Sequence, residues 1–191
     1  MNCADGSGPV AGLIQATNGM LYGTTAVGGA NSSCSGILGS GCGTVFRITP
    51  TGKLTSLYSF CSQPNCADGA APEAGLVQGT GGRFYGTTYT GGADTADCTG
   101  GCGTVFRLSV GLGPFVETLP TSGKVGKAVI ILGNNLKGST SVTFNGTAAN
   151  FTVVSSTEIK TSVPVGATTG FVKVKTPTKT LKSNVVFRVT K

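Results

Sequence analysis

Cysteine is the residue type with the clearest capacity for chemistry in this sequence. All seven copies lie between positions 3 and 102, and the chain has no histidine that could complete a mixed metal site. Three pairs each bracket a short loop or linker, so the sequence predicts three local disulfides and leaves Cys3 without a partner in the chain. The predicted pairs are Cys34 with Cys42, Cys61 with Cys66, and Cys98 with Cys102.

The alternatives for these cysteines are a four-cysteine zinc site and an intermolecular bond through Cys3. Zinc sites of this class use CxxC-like clusters, whereas the three pairs have seven, four and three intervening residues, so disulfides are favoured. Disulfides persist in oxidising compartments, which indicates a periplasmic or extracellular setting, and we expect an extracellular or cell-surface protein. The first residues have neither a basic start nor an apolar run, so we expect a mature form or a fragment without its signal peptide.

The other side chains do not favour catalysis. Histidine and tryptophan are absent and only seven carboxylates are present, so we expect neither an enzyme nor a cofactor, and no metal site. Asp5 and Asp68 recur in the motif Cys-Ala-Asp-Gly and are interpreted as Asx turns. Asp94 and Asp97 lie just before Cys98 and are alternative candidates for calcium ligands. Repeat one has no acidic residue in the matching loop.

Two sets of side chains are candidates for ligand contact. Tyr22 and Tyr85 each begin a YGTT motif and could stack on a sugar, although packing between strands is the favoured interpretation. A C-terminal hairpin carries lysines that could attract an acidic polysaccharide or a cell surface, although a solvated edge strand is favoured and nucleic acid is not expected. These lysines are Lys173, Lys175, Lys179 and Lys182.

An internal repeat supplies the elements that position the tyrosines and cysteines. NCADG at 2–6 recurs at 65–69 and YGTT at 22 recurs at 85, both with an offset of 63 residues. GCGTVFR at 41 recurs at 101, an offset of 60, so repeat two lacks three loop residues. We place the two repeats at about 2–63 and 65–110.

Each repeat is predicted to form a four-stranded antiparallel meander. In repeat one, strands flank Asn18-Gly19 and the turn at 50–53. Repeat two keeps the first three strands, but Gly-Leu-Gly-Pro at 111–114 makes its fourth strand missing or irregular. Such units resemble β-propeller blades, which need neighbours to bury both faces. We therefore expect self-association or contact with neighbouring repeats.

The segments AGLIQATNGMLYGTTAVGG and GTVFRITPTGKLTSLYSF resemble the units of GloVer, a tandem-repeat family of exported bacterial proteins. The resemblance covers about residues 2–110 and implies a long secreted or surface protein without an assigned activity. It also implies that the chain holds the last two units of a longer array. By the 63-residue offset, the partner of Cys3 would then precede Met1.

A second domain is expected from residue 114, where the composition changes. Residues 1–113 carry four Lys/Arg and five Asp/Glu, whereas residues 114–191 carry ten and two. About seven short alternating strands predict an immunoglobulin-like β-sandwich. A Pro-Thr-Ser-Gly turn at 120–123, a strand at 128–132 that ends in Gly-Asn-Asn-Leu, and Val-Thr-Phe-Asn-Gly at 142–146 follow one another. In this order of turns the region resembles an IPT/TIG domain. The predicted core residues are Phe144, Ile159, Val163, Val172, Val174 and Phe187.

Taken together, the sequence favours an all-β, non-catalytic, extracellular structural or adhesive surface module. Self-association or binding to neighbouring repeats is the expected partnership, and a polysaccharide or a cell surface is a further candidate partner. No stretch is apolar and long enough to predict a transmembrane segment. The alternative is a carbohydrate-binding module that acts through Tyr22 and Tyr85.

Overall fold

The computed structural model describes residues 3–36, 39–93, 98 and 100–191. Over these residues the protein is all-β, and its one helical element is a 3-10 turn at Pro64–Cys66. The chain divides into a repeat unit, Met1–Gly79 with Arg83–Val110, and a sandwich unit, Thr80–Gly82 with Gly111–Lys191. No helix in the described part of the chain is long and apolar enough to cross a membrane.

Where the structure describes it, the repeat unit has two antiparallel sheets and a small hairpin. Repeat one forms the sheet β1-β2-β5-β6, and repeat two forms the three-stranded sheet β7-β8-β9, in agreement with the expected loss of its fourth strand. The hairpin β3-β4 lies in the first cysteine loop and was not predicted. The strands are β1 (Ile14–Gln15), β2 (Leu21–Thr25), β3 (Ser35–Gly36), β4 (Gly39–Ser40), β5 (Thr44–Ile48), β6 (Leu54–Ser59), β7 (Val77–Gln78), β8 (Phe84–Thr87) and β9 (Val105–Leu108).

The first hairpin forms where Asn18-Gly19 predicts it, with a three-residue loop. Ala16 N–H donates to Met20 O at 2.9 Å, which closes the loop around residues 17–19. Gly19 has φ +78°, the left-handed conformation that glycine adopts without steric cost. The Asn18 side chain accepts from Met20 N–H at 3.1 Å, so the asparagine stabilises the turn through its amide.

Paired glycines at 28–29 and 91–92 allow a close approach of two loops in each repeat. Gly28 and Gly91 have φ of +77° and +74°. A Cβ at either position would lie 2.8 Å from the Cα of Gly6 or Gly69, which is closer than carbon atoms pack. These glycines are therefore required by the backbone, and they hold the Cys-Ala-Asp-Gly turn against the sheet that follows it.

The sandwich unit contains two four-stranded sheets with one core between them. The sheets are β10-β12-β16-β15 and β14-β13-β17-β18, and β11 pairs in parallel with β19. All six predicted core residues are at most 1% exposed, which confirms that prediction. The strands are β10 (Glu117–Leu119), β11 (Ser122–Gly123), β12 (Ala128–Leu132), β13 (Ser141–Phe144), β14 (Thr147–Ala149), β15 (Phe151–Val153), β16 (Glu158–Ser162), β17 (Val172–Lys175), β18 (Thr180–Lys182) and β19 (Arg188–Val189).

Candidate interaction site on the repeat unit

The two sheets of the repeat unit pack face to face. The Tyr22 ring lies on the Phe84 ring with centroids 4.3 Å apart, and Phe60 meets Phe106 edge-on at 4.9 Å. Polar groups also cross the interface, since Thr24 Oγ1 donates to Ala74 O at 3.1 Å. The interface between the repeats is thus an apolar core with specific hydrogen bonds.

Matching residues of the two repeats differ sharply in burial. Tyr22 and Val45 are 1% and 0% exposed, because their face of repeat one lies against repeat two. Their counterparts Tyr85 and Val105 are 40% and 78% exposed. Since the local sequences YGTT and GTVFR are the same in both repeats, the difference comes from what packs against each face.

We call the exposed surface of the second sheet the outer face of repeat two. Its members are cross-strand neighbours, because Val77 pairs with Tyr85, Tyr85 with Arg107 and Thr87 with Val105. Directly opposed residues of neighbouring strands point to the same side of a sheet. The outer face of repeat two consists of Val77, Tyr85, Thr87, Val105 and Arg107.

In repeat one, the side of the sheet away from Tyr22 and Val45 is not covered by repeat two. We call this surface the outer face of repeat one. Leu13 is 51% exposed on this face, whereas its counterpart Leu76 is 6% exposed in the interface between the repeats. Leu13 and the Phe46 ring lie over Gly23, where a Cβ would be 2.6 and 2.7 Å from them. The outer face of repeat one consists of Leu13, Leu21 and Ile48, and Phe46, which lies on the same side of the sheet, is itself only 7% exposed.

A groove follows the edge of β9, where the fourth strand of repeat two would lie. Its volume is about 330 Å³, and its lining includes Val45, Tyr58 and Asp68 together with residues of β9. The matching strand of repeat one, β5, is paired along this edge with β6. Among the described residues no strand pairs with this edge of β9, so its backbone groups can accept an extended segment.

Asp68 closes the linker between the repeats. Its carboxylate accepts from Tyr58 Oη at 2.7 Å, from Ser62 N–H at 3.0 Å and from Gln63 N–H at 3.1 Å. The interpretation of Asp68 as an Asx turn was therefore wrong, because its partners precede it across the linker. Burial disfavours the charged form, but these hydrogen bonds and one from the Ser62 hydroxyl outweigh it and lower the pKa of Asp68.

The lowered pKa of Asp68 makes the stability of the linker depend on pH. A carboxylate with a depressed folded-state pKa stabilises the fold above its ordinary pKa of 3.8, and this contribution is lost as pH falls through the lower folded-state value. We expect Asp68→Asn to remove this part of the acid sensitivity, which urea unfolding at a series of pH values would measure. The effect is small, because solvent screens a half-buried carboxylate.

The matched control is Asp5→Asn, which changes the corresponding and exposed carboxylate of repeat one. The free energy of unfolding of this variant should fall at low pH as that of the wild type does. Equal pH profiles for wild type and Asp68→Asn would show that the carboxylate adds nothing to linker stability.

Tyr22 and Tyr85 stand in the same sequence motif but differ in their exposure to solvent. Tyr22 is buried and accepts a hydrogen bond on its hydroxyl from Asn18 Nδ2 at 3.0 Å. It offers no free ring face, so the sugar-stacking hypothesis is wrong for Tyr22. Tyr85 remains accessible, and Tyr89, whose counterpart is the buried Ala26, is exposed near it in sequence.

The predicted lysine stripe lies on β17, β18 and the turn between them. Lys173 is paired with Lys182, and all four lysines are exposed, while Val172 and Val174 between them are buried. The Lys182 ammonium lies 3.6 Å from the centroid of the Phe171 ring, a cation–π contact that no pattern in the sequence predicts. Anion binding by this stripe stays a prediction.

The six predicted disulfide cysteines are joined in the predicted pairs. Cys3 is a free and exposed thiol in the described part of the chain. Its carbonyl accepts from Gly29 N–H at 2.9 Å, as Cys66 O accepts from Gly92 N–H, so the two cysteines occupy equivalent positions. The suggested calcium ligands Asp94 and Asp97 lie outside the described residues.

Family models match both parts of the chain. The model of the Gloeobacter/Verrucomicrobia repeat matches residues 1–130, and that of the IPT/TIG domain matches residues 115–189, which confirms both resemblances. A search of curated proteins gave no match. Repeats followed by such a domain indicate a non-catalytic surface or adhesion-type module. The chain belongs to the Gloeobacter/Verrucomicrobia repeat family and carries an IPT/TIG domain after its repeats.

Proposed function

We propose that this protein is a non-catalytic, extracellular structural module that assembles head to tail through its repeat unit. The observation that carries the proposal is that each repeat leaves uncovered the face that the other repeat buries. The outer face of repeat two corresponds to the buried face of repeat one, and the outer face of repeat one corresponds to the buried face of repeat two. The chain thus carries both halves of an interface that it already forms once internally.

The internal interface serves as the template for the proposed docking of a second copy. Tyr85 would pack on Leu21 of the other copy in the way that Tyr22 packs on Phe84 within one chain. Leu13 of the other copy would be buried in the way that Leu76 is buried within one chain. Burial of these apolar side chains supplies the driving force for association. Because the two faces differ, the contact is heterologous, and it continues into a ring or a filament.

An extracellular setting is supported by the three disulfides, which are typical of oxidising compartments. The IPT/TIG domain would act as a spacer or docking domain. This role needs no catalytic group.

Two charge substitutions test the assembly. Val105→Asp on the outer face of repeat two and Leu13→Asp on the outer face of repeat one should each make the protein monomeric in sedimentation velocity, because a carboxylate would be buried in the contact. A mixture of the two variants should form dimers and nothing larger, since each variant keeps one intact face. Wild type should form larger species as its concentration rises.

Val165→Asp is the control, because Val165 is 84% exposed and lies in the sandwich unit. It should assemble like the wild type. A wild type that stays monomeric at high concentration, or a Leu13→Asp variant that still forms dimers, would overturn head-to-tail assembly.

Sugar binding is the second candidate function. Tyr85 and Tyr89 are both exposed and lie four residues apart in sequence, and aromatic rings stack on sugars. A glycan array separates the two functions. Binding that Tyr89→Ala removes, in a protein that does not self-associate, would favour the sugar-binding module.

A further inference from the structure

Two of the disulfides form a single sulfur cluster. The Sγ atoms of Cys34, Cys42, Cys61 and Cys66 all lie within 4.8 Å of one another. The first pair comes from the loop between β2 and β5, and the second comes from the linker after β6. Cys42 is buried, and the other three are half-buried. Residues that are distant in sequence thus place four sulfur atoms in one small volume.

Backbone hydrogen bonds hold each of these cysteines independently of its sulfur. Cys34 O accepts from Gly41 N–H at 2.9 Å, and Cys61 N–H donates to Gly69 O at 3.1 Å. Cys66 N–H donates to Gln63 O at 3.0 Å. Ala71 N–H donates to Cys42 O at 2.9 Å, which joins the loop of repeat one to the start of repeat two. Because none of these contacts passes through a sulfur atom, the four thiols would stay together when the disulfides are reduced.

We propose that the four cysteines bind one zinc ion as a tetrathiolate site when both disulfides are reduced. Zinc–sulfur bonds of about 2.3 Å place the corners of a tetrahedron about 3.8 Å apart. No two of the four sulfur atoms are more than 4.8 Å apart, which is about 1 Å above that spacing. The two bonded pairs start from a disulfide length of about 2 Å, so reduction must let each pair separate by nearly 2 Å through side-chain rotation. The disulfide form and the zinc form are then alternative states of the same site.

The interconversion balances with a small dithiol as the reductant. Each disulfide accepts two electrons and two protons from one dithiol, which becomes a cyclic disulfide, and two cysteine thiols result. Binding of Zn²⁺ to the four thiols then releases four protons and leaves a complex with a net charge of −2. Exchange with two molecules of the cyclic disulfide reverses the reduction, because each takes two electrons from one cysteine pair and, with two protons, becomes a dithiol again. Re-formation of the two cysteine disulfides removes the thiolate ligands and releases Zn²⁺.

The third disulfide provides an internal control. Cys98 and Cys102 close the matching loop of repeat two, but no cysteine follows Cys102 in the sequence to supply a second pair. This pair offers two sulfur ligands where a structural zinc site needs four.

Cobalt binding tests the proposal. Fully reduced, oxygen-free protein should bind one equivalent of Co²⁺ with the visible d–d absorption of tetrahedral thiolate coordination, and Zn²⁺ should abolish this absorption. The oxidised protein should show none. Cys42→Ser should weaken binding by more than the about 10- to 100-fold that loss of an outer-shell partner costs. The double variant Cys98→Ser, Cys102→Ser should bind cobalt like the wild type.

The decisive result is the spectrum of the reduced wild type, which does not depend on how any variant folds. Absence of the d–d bands at one equivalent of Co²⁺ would overturn the site. So would bands that persist in Cys42→Ser and disappear in the double variant, because the ligands would then come from the third pair. Circular dichroism of each reduced sample would show whether a variant has lost its sheets.

Discussion

Replacing Tyr22 by alanine is expected to lower the free energy of unfolding of the repeat unit by about 3 to 5 kcal/mol, the range measured for large buried aromatic rings. The ring is buried against Phe84, and its hydroxyl is paired with Asn18. Truncation would leave a cavity at the centre of the interface between the repeats. Urea unfolding followed by circular dichroism, at protein concentrations low enough to prevent association, would measure the loss.

Tyr85→Ala is the matched control for this prediction. It removes the same side chain from the same YGTT motif, but at a position where the ring is largely exposed. The expected loss is below about 1 kcal/mol, because surface substitutions rarely cost more. Equal losses in the two variants would mean that the face-to-face packing of the repeats does not stabilise the unit.

Phe187→Ala should destabilise the sandwich unit by a similar amount, about 3 to 5 kcal/mol. Phe187 is fully buried, and its ring meets Phe144 edge-on with centroids 5.1 Å apart. The sequence has no cysteine beyond residue 102, so no disulfide compensates for the lost packing in this unit. Since a domain of this size is stable by only about 5 to 15 kcal/mol, thermal unfolding should shift clearly to lower temperature.

The neighbouring substitution Val186→Ala is the control, because Val186 is substantially exposed. We expect it to change the unfolding transition of the sandwich unit only slightly. If Phe187→Ala unfolded at the wild-type temperature, the ring would not contribute to the core as its burial indicates.

Local signals in the sequence were sufficient for most of the fold. The Asn18-Gly19 turn and the alternating valines of β17 act through the backbone and side-chain direction of adjacent residues, and both form as predicted. The disulfide pairs follow from short loops, since few other partners are within reach of each cysteine. The hairpin β3-β4 was missed because its strands consist of glycine and serine, which are typical of turns rather than of strands.

The candidate site was much less accessible from the sequence. Tyr22 and Tyr85 stand in the same motif, so no local pattern distinguishes the buried ring from the exposed one. The hydrogen bonds to the Asp68 carboxylate come from a linker that folds back on this residue. The motif Cys-Ala-Asp-Gly contains none of the residues that donate them. The sequence disfavours a zinc site because the spacing within each cysteine pair is not CxxC-like. The sulfur cluster arises instead because two pairs that are distant in sequence come together in space.

The sequence by itself determined that this protein consists of two duplicated β-units with local disulfides and an immunoglobulin-like domain, because turns, alternation and loop closure are set by residues close together in the chain. Only the tertiary structure decided which face of each repeat is covered by the other repeat, and which cysteine pairs lie next to each other. Both depend on contacts between segments far apart in sequence, and the free energy of those contacts is a property of the packed surfaces rather than of any single motif.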